Sequence, residues 1–217
     1  MTRYASRTLL ATPAERLAPA RTALVVVDMQ NDFCAPGGYI AGLGKDVSGY
    51  GAIVSPLAAT LAAARRAGVP VLWLVARYDE ALLPPSMRAQ KRRMGVDAIC
   101  CAAGSWGAEF FGVTPEAGEP IFAKHTYSGF SNPDLARHLA ALDVEALAFC
   151  GVQTNVCVES TLREAHSFGF DVAIVEDAVA SHTPPLHQAT LANIRFLFGD
   201  VLPSADLLAI WGAERRA

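Results

Sequence analysis

Short, continuously apolar segments rich in β-branched residues recur along the chain and alternate with helical patterns. Residues 22–28 read TALVVVD, a run typical of a strand that is buried on both faces of a parallel sheet. The next element ends at Gly68 and has the pattern and the glycine stop of a helix, and residues 69–77 then read VPVLWLVAR, a second strand. This β-α-β unit predicts an α/β fold.

The same alternation continues along the rest of the chain. Further strands are predicted at residues 119–125, 146–152 and 170–177, and further helices at about 133–141, 156–169 and 185–198, before a short tail that reads VLPSADLLAI. Strands that alternate with helices in this way form a mostly parallel sheet, with right-handed crossovers and with helices on both faces.

Length and composition indicate a single domain. The chain has 217 residues, of which 52% are hydrophobic and 18% are charged, and these values are typical of one globular domain. We therefore predict one domain over residues 1–217, with an N-terminal extension at residues 1–20. Residues 78–118 are rich in Pro and Gly and separate two predicted strands, and an insertion of this length could act as a lid.

Charge and cysteine content argue against several classes of function. Lys and Arg number 18 against 21 Asp and Glu, a net charge of −3, so we expect no binding to nucleic acid. The apolar run at residues 23–27 is far shorter than the ~20 residues of a membrane span, and residues 1–20 lack the hydrophobic core of a secretory signal. We therefore expect no membrane partner and a cytoplasmic location. Five cysteines without a Cys-x-x-Cys spacing indicate reduced thiols.

Three reactive side chains stand where predicted strands end. Asp28 ends the first strand, Lys124 ends the strand after the insertion, and Cys157 follows the strand at 146–152, at the start of a helix. Ligands of open parallel sheets bind beyond the carboxyl ends of the strands, so these residues should converge there. A helix N-terminus and a nearby ammonium group lower the pKa of a cysteine, which favours Cys157 as a nucleophile. Asp28 would then act as base and later as acid, while Lys124 balances its charge.

Each of these residues also has a purely structural interpretation. Cys157 would then be a small buried hydrophobic residue, and Asp28 and Lys124 would form a structural ion pair within the cleft. The polar neighbours Thr154 and Asn155, together with the shared position at strand ends, favour the catalytic interpretation.

Three motifs that follow one another in a fixed order make the chain resemble a known family. They are ALVVVDMQNDF at residues 23–33, KHTYSGF at 124–130 and GVQTNVCVESTLREA at 151–165, followed by VEDAVAS. The chain resembles the isochorismatase-like cysteine hydrolases over about residues 22–198. This resemblance implies a three-layer α/β/α sandwich with a mostly parallel, Rossmann-like central sheet. It also implies a catalytic triad, which falls on Asp28, Lys124 and Cys157.

The resemblance implies a reaction as well. The cysteine of this family attacks a carbon that bears a leaving amine, and water then hydrolyses the covalent thioester or thiocarbamate. The peptide bond before the TNVC segment is cis in the family, which here is the bond between Val152 and Gln153. The backbone N–H groups of Gln153 and Cys157 would form the oxyanion hole. Members of the family assemble into dimers and tetramers, so the resemblance implies a homo-oligomer.

The chain departs from its relatives at two places. Relatives generally carry a small residue at the position of Gln153, whose longer side chain could reach the substrate or a subunit interface. Metal-binding members carry an Asp-x-His motif and a further His after the second strand, where this chain reads ARYDEALLPP. We therefore expect no metal and no other cofactor.

Finer similarity points to substrates with a urea end. The segments APGGYIAGLGKDVS, GSWGAEF and KHTYSGFSNPDL look like those of ureidoacrylate amidohydrolases and of biuret-hydrolysing relatives. Amide side chains can pair with a planar ureido group, and aromatic side chains can exclude water around it. The predicted substrate-binding residues are Asn31, Phe33, Trp106, Tyr127, Phe130 and Gln153.

The leading hypothesis is a metal-free, cysteine-dependent amidohydrolase that cleaves a C–N bond of a small ureido or carbamoyl amide, with that molecule and water as its partners. Two alternatives stay open: an isochorismatase-type C–O hydrolase, and a thiol protein that binds ligands or senses oxidants through Cys157 without turnover. Because the C–O hydrolases do not need a thiol, Cys157 favours the first. The histidines, Lys91 and Arg92 could bind a substrate carboxylate, and their spacing selects none of them.

Overall fold

One six-stranded sheet forms the centre of the protein. The computed structural model describes residues 9–96 and 99–213. The strands are Thr22–Val27 (β1), Val71–Ala76 (β2), Ile121–Lys124 (β3), Ala146–Val152 (β4), Asp171–Ala180 (β5) and Asp200–Leu202 (β6). Their order is β3-β2-β1-β4-β5-β6, and every described pair of neighbours is parallel. The predicted Rossmann-like arrangement is confirmed, and the described sheet is parallel throughout rather than mostly parallel.

Helices cover both faces of this sheet. The α-helices are Pro13–Arg16 (α1), Asn31–Cys34 (α2), Tyr39–Gly42 (α3), Val54–Ala67 (α4), Pro85–Arg93 (α5), Pro133–Leu142 (α6), Glu159–Ser167 (α7), Pro184–Asn193 (α8) and Ser204–Ala213 (α9). Short 3₁₀ turns lie at Pro19–Arg21, Ser48–Ile53, Glu80–Leu82, Trp106–Ala108 and Gly129–Ser131, and π-helical turns lie at Thr154–Val158 and Ile194–Phe198.

The two helical layers enclose two separate apolar cores. On one face, Leu57 of α4 and Trp211 of α9 pack against the sheet. On the other face, Leu135 of α6, Leu162 of α7 and Leu191 of α8 do so. Every residue of β1, β2 and β4 is buried, which explains why these strands appear in the sequence as unbroken apolar runs. The three-layer α/β/α sandwich is therefore confirmed.

The structure differs from the sequence-based expectation at three elements. The short tail contains a sixth strand, β6, and a further helix, α9. The helix predicted at 156–169 begins as the π-helical turn Thr154–Val158 and becomes α-helical only at α7. The N-terminal extension is in part an integral element, because Leu17 is fully buried and Arg16 forms an ion pair with Asp200 at 2.7 Å.

A glycine allows the two central strands to approach closely where the site lies. Gly151 of β4 pairs with Val27 of β1 and has a φ of 105°. A Cβ atom at this position would lie 2.1 Å from the backbone oxygen of Val27, a distance that no side chain can adopt. Glycine is required here both for the positive φ and for the contact between the strands.

The insertion at residues 78–118 packs against the rest of the protein. It contains α5, and its residues Tyr78, Leu83, Met87 and Cys101 are buried in the same core as α4. Its action as a lid stays a prediction. None of the helices in residues 9–96 and 99–213 combines the length and the apolar character that crossing a membrane requires.

Candidate active site

The ends of three strands position the three predicted catalytic residues. Asp28 directly follows β1 and has a φ of 50°, Lys124 is the last residue of β3, and Cys157 lies in the π-helical turn after β4. β1 and β4 are neighbours, yet α4 and α7, the long helices that follow them, pack on opposite faces of the sheet. In sheets of this type such a divergence opens a crevice at the carboxyl ends of the strands.

The three side chains meet in this crevice. Nζ of Lys124 lies 2.8 Å from Oδ2 of Asp28 and 3.4 Å from Sγ of Cys157, and it donates to the backbone oxygen of Thr126 at 3.2 Å. The side chains of Asp28 and Lys124 are both 0% exposed. Oδ1 of Asp28 has no hydrogen-bond partner in the described part of the chain. A buried carboxylate oxygen with free acceptor capacity beside a thiol can act as its general base.

A fourth side chain, Tyr78, completes the cluster and was missed by the sequence analysis. Its hydroxyl lies 3.4 Å from Nζ of Lys124 and 3.9 Å from Sγ of Cys157, and it donates to the backbone oxygen of Thr126. Tyr78 stands two residues after the end of β2. The same rule about strand ends that selected Asp28 and Lys124 could therefore have found it.

Burial controls the protonation of this cluster. Loss of water raises the pKa of Asp28, and the Lys124 charge partly opposes this rise. Burial also raises the pKa of Cys157 to about 12, with Asp28 adding to the rise and Lys124 opposing it. Burial lowers the pKa of Lys124, but the charges of Asp28 and Cys157 outweigh it, so its pKa is raised. The expected lowering of the Cys157 pKa is therefore wrong, because desolvation outweighs the nearby ammonium group.

A cavity of about 250 Å³ opens onto the thiol of Cys157. Three of the predicted substrate-binding residues, Phe33, Tyr127 and Gln153, line it. The insertion supplies much of the remaining wall, including Leu83 and other apolar side chains. The cavity is therefore small and largely apolar, with a few polar groups, as is usual for a small-molecule site.

The structure does not bring the other three predicted substrate-binding residues to this cavity. Nδ2 of Asn31 donates to the backbone oxygen of Trp106 at 2.9 Å and so holds a loop in place. The Trp106 side chain is 51% exposed and lies against Gly37. Phe130 packs on Phe168 with ring centroids 5.0 Å apart. Residue type alone had suggested these contacts, and residue type does not show which way a loop side chain faces.

Gln153 joins the site to a hydrogen-bond network that the sequence did not indicate. The peptide bond between Val152 and Gln153 is cis, as the resemblance implied. Oε1 of Gln153 accepts a hydrogen bond from the hydroxyl of Tyr50 at 2.6 Å and one from the backbone N–H of His182 at 3.3 Å. The oxyanion hole formed by the N–H groups of Gln153 and Cys157 stays a prediction.

One group of possible metal ligands lies near the cavity. The ligand atoms of Asp32, Cys100 and Cys101 lie within 4.8 Å of one another. Both oxygens of Asp32 already accept backbone hydrogen bonds, from Tyr39 at 3.1 Å and from Cys101 at 2.6 Å. Asp32 therefore organises the surrounding loops.

Known proteins are similar to this chain in sequence and in fold. The Isochorismatase domain matches residues 22–206. Ureidoacrylate amidohydrolase RutB from Methylobacterium radiotolerans is 38% identical over 215 residues, which cover 93% of this chain and 83% of that protein.

Solved structures extend the similarity to the fold. A cysteine hydrolase from Pseudomonas syringae pv. phaseolicola has a TM-score of 0.81 and 29% identity, covering 96% of this chain and 99% of that one. N-carbamoylsarcosine amidase from Thermoplasma acidophilum has a TM-score of 0.69 and 26% identity, covering 85% and 96% of the two chains. The matched domain spans most of the sequence, including all four residues of the cluster. The chain therefore belongs to the isochorismatase family of cysteine hydrolases.

Proposed function

We propose that the protein is a cysteine-dependent amidohydrolase that cleaves a C–N bond of a small ureido or carbamoyl amide. The observation that carries this proposal is the contact of Lys124 with both Asp28 and Cys157, at 2.8 and 3.4 Å, beside a small cavity that Cys157 lines. A buried ion pair beside a buried thiol adds little to stability. It does supply the base, the positive charge and the nucleophile that covalent amide hydrolysis requires.

The first half of the reaction transfers the acyl group to the protein. The thiol proton of Cys157 passes to Asp28, and the resulting thiolate, stabilised by the Lys124 ammonium group, attacks the carbonyl carbon of the substrate. The carbonyl oxygen gains negative charge, which the backbone N–H groups of Gln153 and Cys157 would stabilise. When the C–N bond breaks, Asp28 returns the proton to the leaving nitrogen. Ammonia or an amine departs and leaves a thioester or thiocarbamate on Sγ.

The second half restores the thiol. Water enters the space left by the amine, Asp28 takes its proton, and the hydroxide adds to the carbonyl carbon. The C–S bond then breaks, Asp28 returns the proton to Sγ, and the acid or carbamate product leaves. Lys124 remains charged throughout, because its raised pKa and its contact with Asp28 hold its proton.

The substrate class is supported by the relatives and by the cavity. The names of two relatives specify a ureidoacrylate amidohydrolase and an N-carbamoylsarcosine amidase, both of which act on compounds with a urea end. A cavity of about 250 Å³ lies below the ~300 to 1,000 Å³ of sites for drug-sized ligands, so it suits a small molecule. The proposal includes a homo-oligomer, a dimer or a tetramer, which sedimentation analysis would test.

Ammonia release from a panel of amides tests the proposal. The panel contains ureidoacrylate, biuret, N-carbamoylsarcosine and nicotinamide, each with the wild type, with Cys157→Ala and with a metal chelator. We expect a ureido compound to be hydrolysed, the chelator to have no effect, and Cys157→Ala to lose at least about a thousandfold in kcat/KM.

A matched cysteine variant controls for indirect effects. Cys150 lies in β4 and is buried in the core on the opposite face of the sheet from Cys157, so Cys150→Ala should keep the wild-type substrate preference. Turnover that survives Cys157→Ala would overturn the assignment of Cys157 as the nucleophile. A folded wild type that hydrolyses no member of the panel would overturn the proposed substrate class.

A further inference from the structure

The Gln153 carboxamide is held in one orientation by its neighbours. Gln153 is one of the residues that line the cavity, and it is only 5% exposed. Its Oε1 atom contacts the backbone N–H of His182 at 3.3 Å. A backbone N–H can only donate, so the atom that faces it must be the carbonyl oxygen and not the amino group. The hydroxyl of Tyr50 donates to the same oxygen at 2.6 Å.

The other end of this carboxamide has no hydrogen-bond partner in the part of the chain that the structure describes. Nε2 of Gln153 is buried and makes no hydrogen bond within the described residues. A buried amide N–H₂ group that is left unpaired destabilises the folded protein. Because Tyr50 and His182 hold the oxygen, the side chain cannot rotate to satisfy its amino group without losing those bonds. Such a fixed, unpaired donor in the wall of a cavity fits an acceptor atom of a ligand.

The charges around the cavity indicate what kind of acceptor group would bind to Nε2 of Gln153. Lys45, Lys91 and His182 line it, and none of the lining residues that the structure describes is an aspartate or a glutamate. Lys45 and His182 both line the cavity, and burial, followed by the Lys45 charge, lowers the pKa of His182. The ring Nδ1 of His182 lies 3.2 Å from Oε1 of Gln153 and can donate a hydrogen bond to it. The electrostatic environment therefore favours an anionic group over a neutral one.

We propose that Gln153 Nε2, supported by the positive charge of Lys45, forms a subsite for the carboxylate of the substrate. The inference rests on the proposed function and narrows it, since it selects ureido acids over neutral ureido compounds such as biuret. It also assigns a role to the position at which this chain departs from the small residue expected in its relatives. Tyr50 and His182 act as positioning residues that hold the carboxamide.

A kinetic comparison of an acid with its neutral derivative tests the subsite. Ammonia release from the ureido end is measured for ureidoacrylate and for its methyl ester, and the readout is the ratio of their kcat/KM values. Gln153→Glu keeps an oxygen for Tyr50 and His182 but replaces the free donor with an acceptor. We expect this variant to reduce the preference for the acid by roughly 10- to 100-fold, the range of a hydrogen bond to a charged group. Gln188→Glu, the same change at an exposed glutamine of α8, should leave the ratio unchanged.

A binding measurement separates this inference from the proposed reaction. Cys157→Ala protein is titrated in a calorimeter with β-ureidopropionate and with its primary amide, so no turnover is needed. We expect the acid to bind at least about tenfold more tightly than the amide, and Gln153→Glu in the same background to abolish that difference.

Three results would overturn the subsite. They are equal dissociation constants for the acid and the amide, a preference for the acid that Gln153→Glu leaves unchanged, and a preference that is lost only in Lys45→Met. Each of them would do so whether or not the wild type hydrolyses either compound. Conversely, selective binding of the acid by a protein that releases no ammonia would retain the subsite and contradict the proposed reaction.

Discussion

The buried pair of Asp28 and Lys124 is better explained by chemistry than by stability. Moving each charge out of water costs several kcal/mol, and a contact of 2.8 Å offsets that cost only in part. A pair of apolar residues would stabilise the same position at least as well. What an apolar pair could not supply is a proton acceptor and a positive charge beside Sγ of Cys157, and both are present here.

The raised pKa of Cys157 leads to a prediction about its reactivity. With a pKa of about 12, the thiolate fraction should increase about tenfold per pH unit throughout the range below that value. The rate of alkylation of Cys157 by iodoacetamide should therefore keep increasing between about pH 7 and pH 10. For an ordinary thiol, the rate begins to level off near its pKa of ~8.5. Quantitative peptide mass spectrometry measures this rate at the single residue.

The other four cysteines provide the comparison for this measurement. All of them are buried, and Cys157→Ala protein reports how much alkylation they contribute. A rate at Cys157 that levels off below about pH 8 would mean that the site holds a thiolate at rest. In that case Asp28 would not be needed to remove the proton, and the first step of the proposed mechanism would be contradicted.

The positions of the reactive side chains at the strand ends were predictable from the sequence, whereas the hydrogen-bond network around them was not. Asp28, Lys124 and Cys157 each follow a recognisable apolar run, and a parallel sheet must bring such ends together. Tyr50 and Gln153 are separated by 103 residues, and no periodicity relates them. The orientation of loop aromatics such as Trp106 was not predictable for a related reason, because a loop has no repeating geometry that fixes the direction of a side chain.

At the level of elements, prediction succeeded where a pattern was long enough to show a period. β4, at Ala146–Val152, matches its predicted bounds, and α4 ends at Ala67 and is capped by Gly68, which adopts a φ of 74°. β6 has only three residues, too few to show alternation. The sequence of α9 is SADLLAIWGA, in which apolar residues surround much of the helix, so the 3.6-residue period that marks an amphipathic helix is weak. Short or evenly apolar elements are recognised only once the rest of the sheet is known.

The contact between β1 and β4 predicts a large effect of a small substitution. Gly151→Ala places a Cβ atom 2.1 Å from the backbone oxygen of Val27 at a φ of 105°, so the strands must separate. We expect a loss of at least about 3 kcal/mol in the free energy of unfolding, since strain and steric overlap add. Urea unfolding followed by circular dichroism measures it. Gly49→Ala is the control, because nothing lies within 4 Å of a Cβ there; equal effects of the two substitutions would contradict the steric account.

At the scale of the whole molecule, the N-terminal segment contacts the last described elements of the chain. Nε1 of Trp211 in α9 donates to the backbone oxygen of Leu17 at 3.0 Å. Arg16 binds Asp200 at the start of β6 through two hydrogen bonds, at 2.7 and 2.9 Å. Arg21 binds Asp171 at the start of β5 at 2.9 Å. These contacts link the N-terminal segment to the elements that complete the fold, so we infer that the described chain unfolds as one cooperative unit.

Leu17→Ala tests this connection. Leu17 is 0% exposed within the core that contains Trp211, so its truncation should lower the free energy of unfolding by about 2 to 5 kcal/mol. Leu9→Ala, at a position that is 97% exposed, should change it by less than about 0.5 kcal/mol. Tryptophan fluorescence and circular dichroism are followed together in urea, and both transitions should shift by the same amount in Leu17→Ala. If the two transitions shifted by different amounts, the described chain would not unfold as one cooperative unit, and the inference would be contradicted.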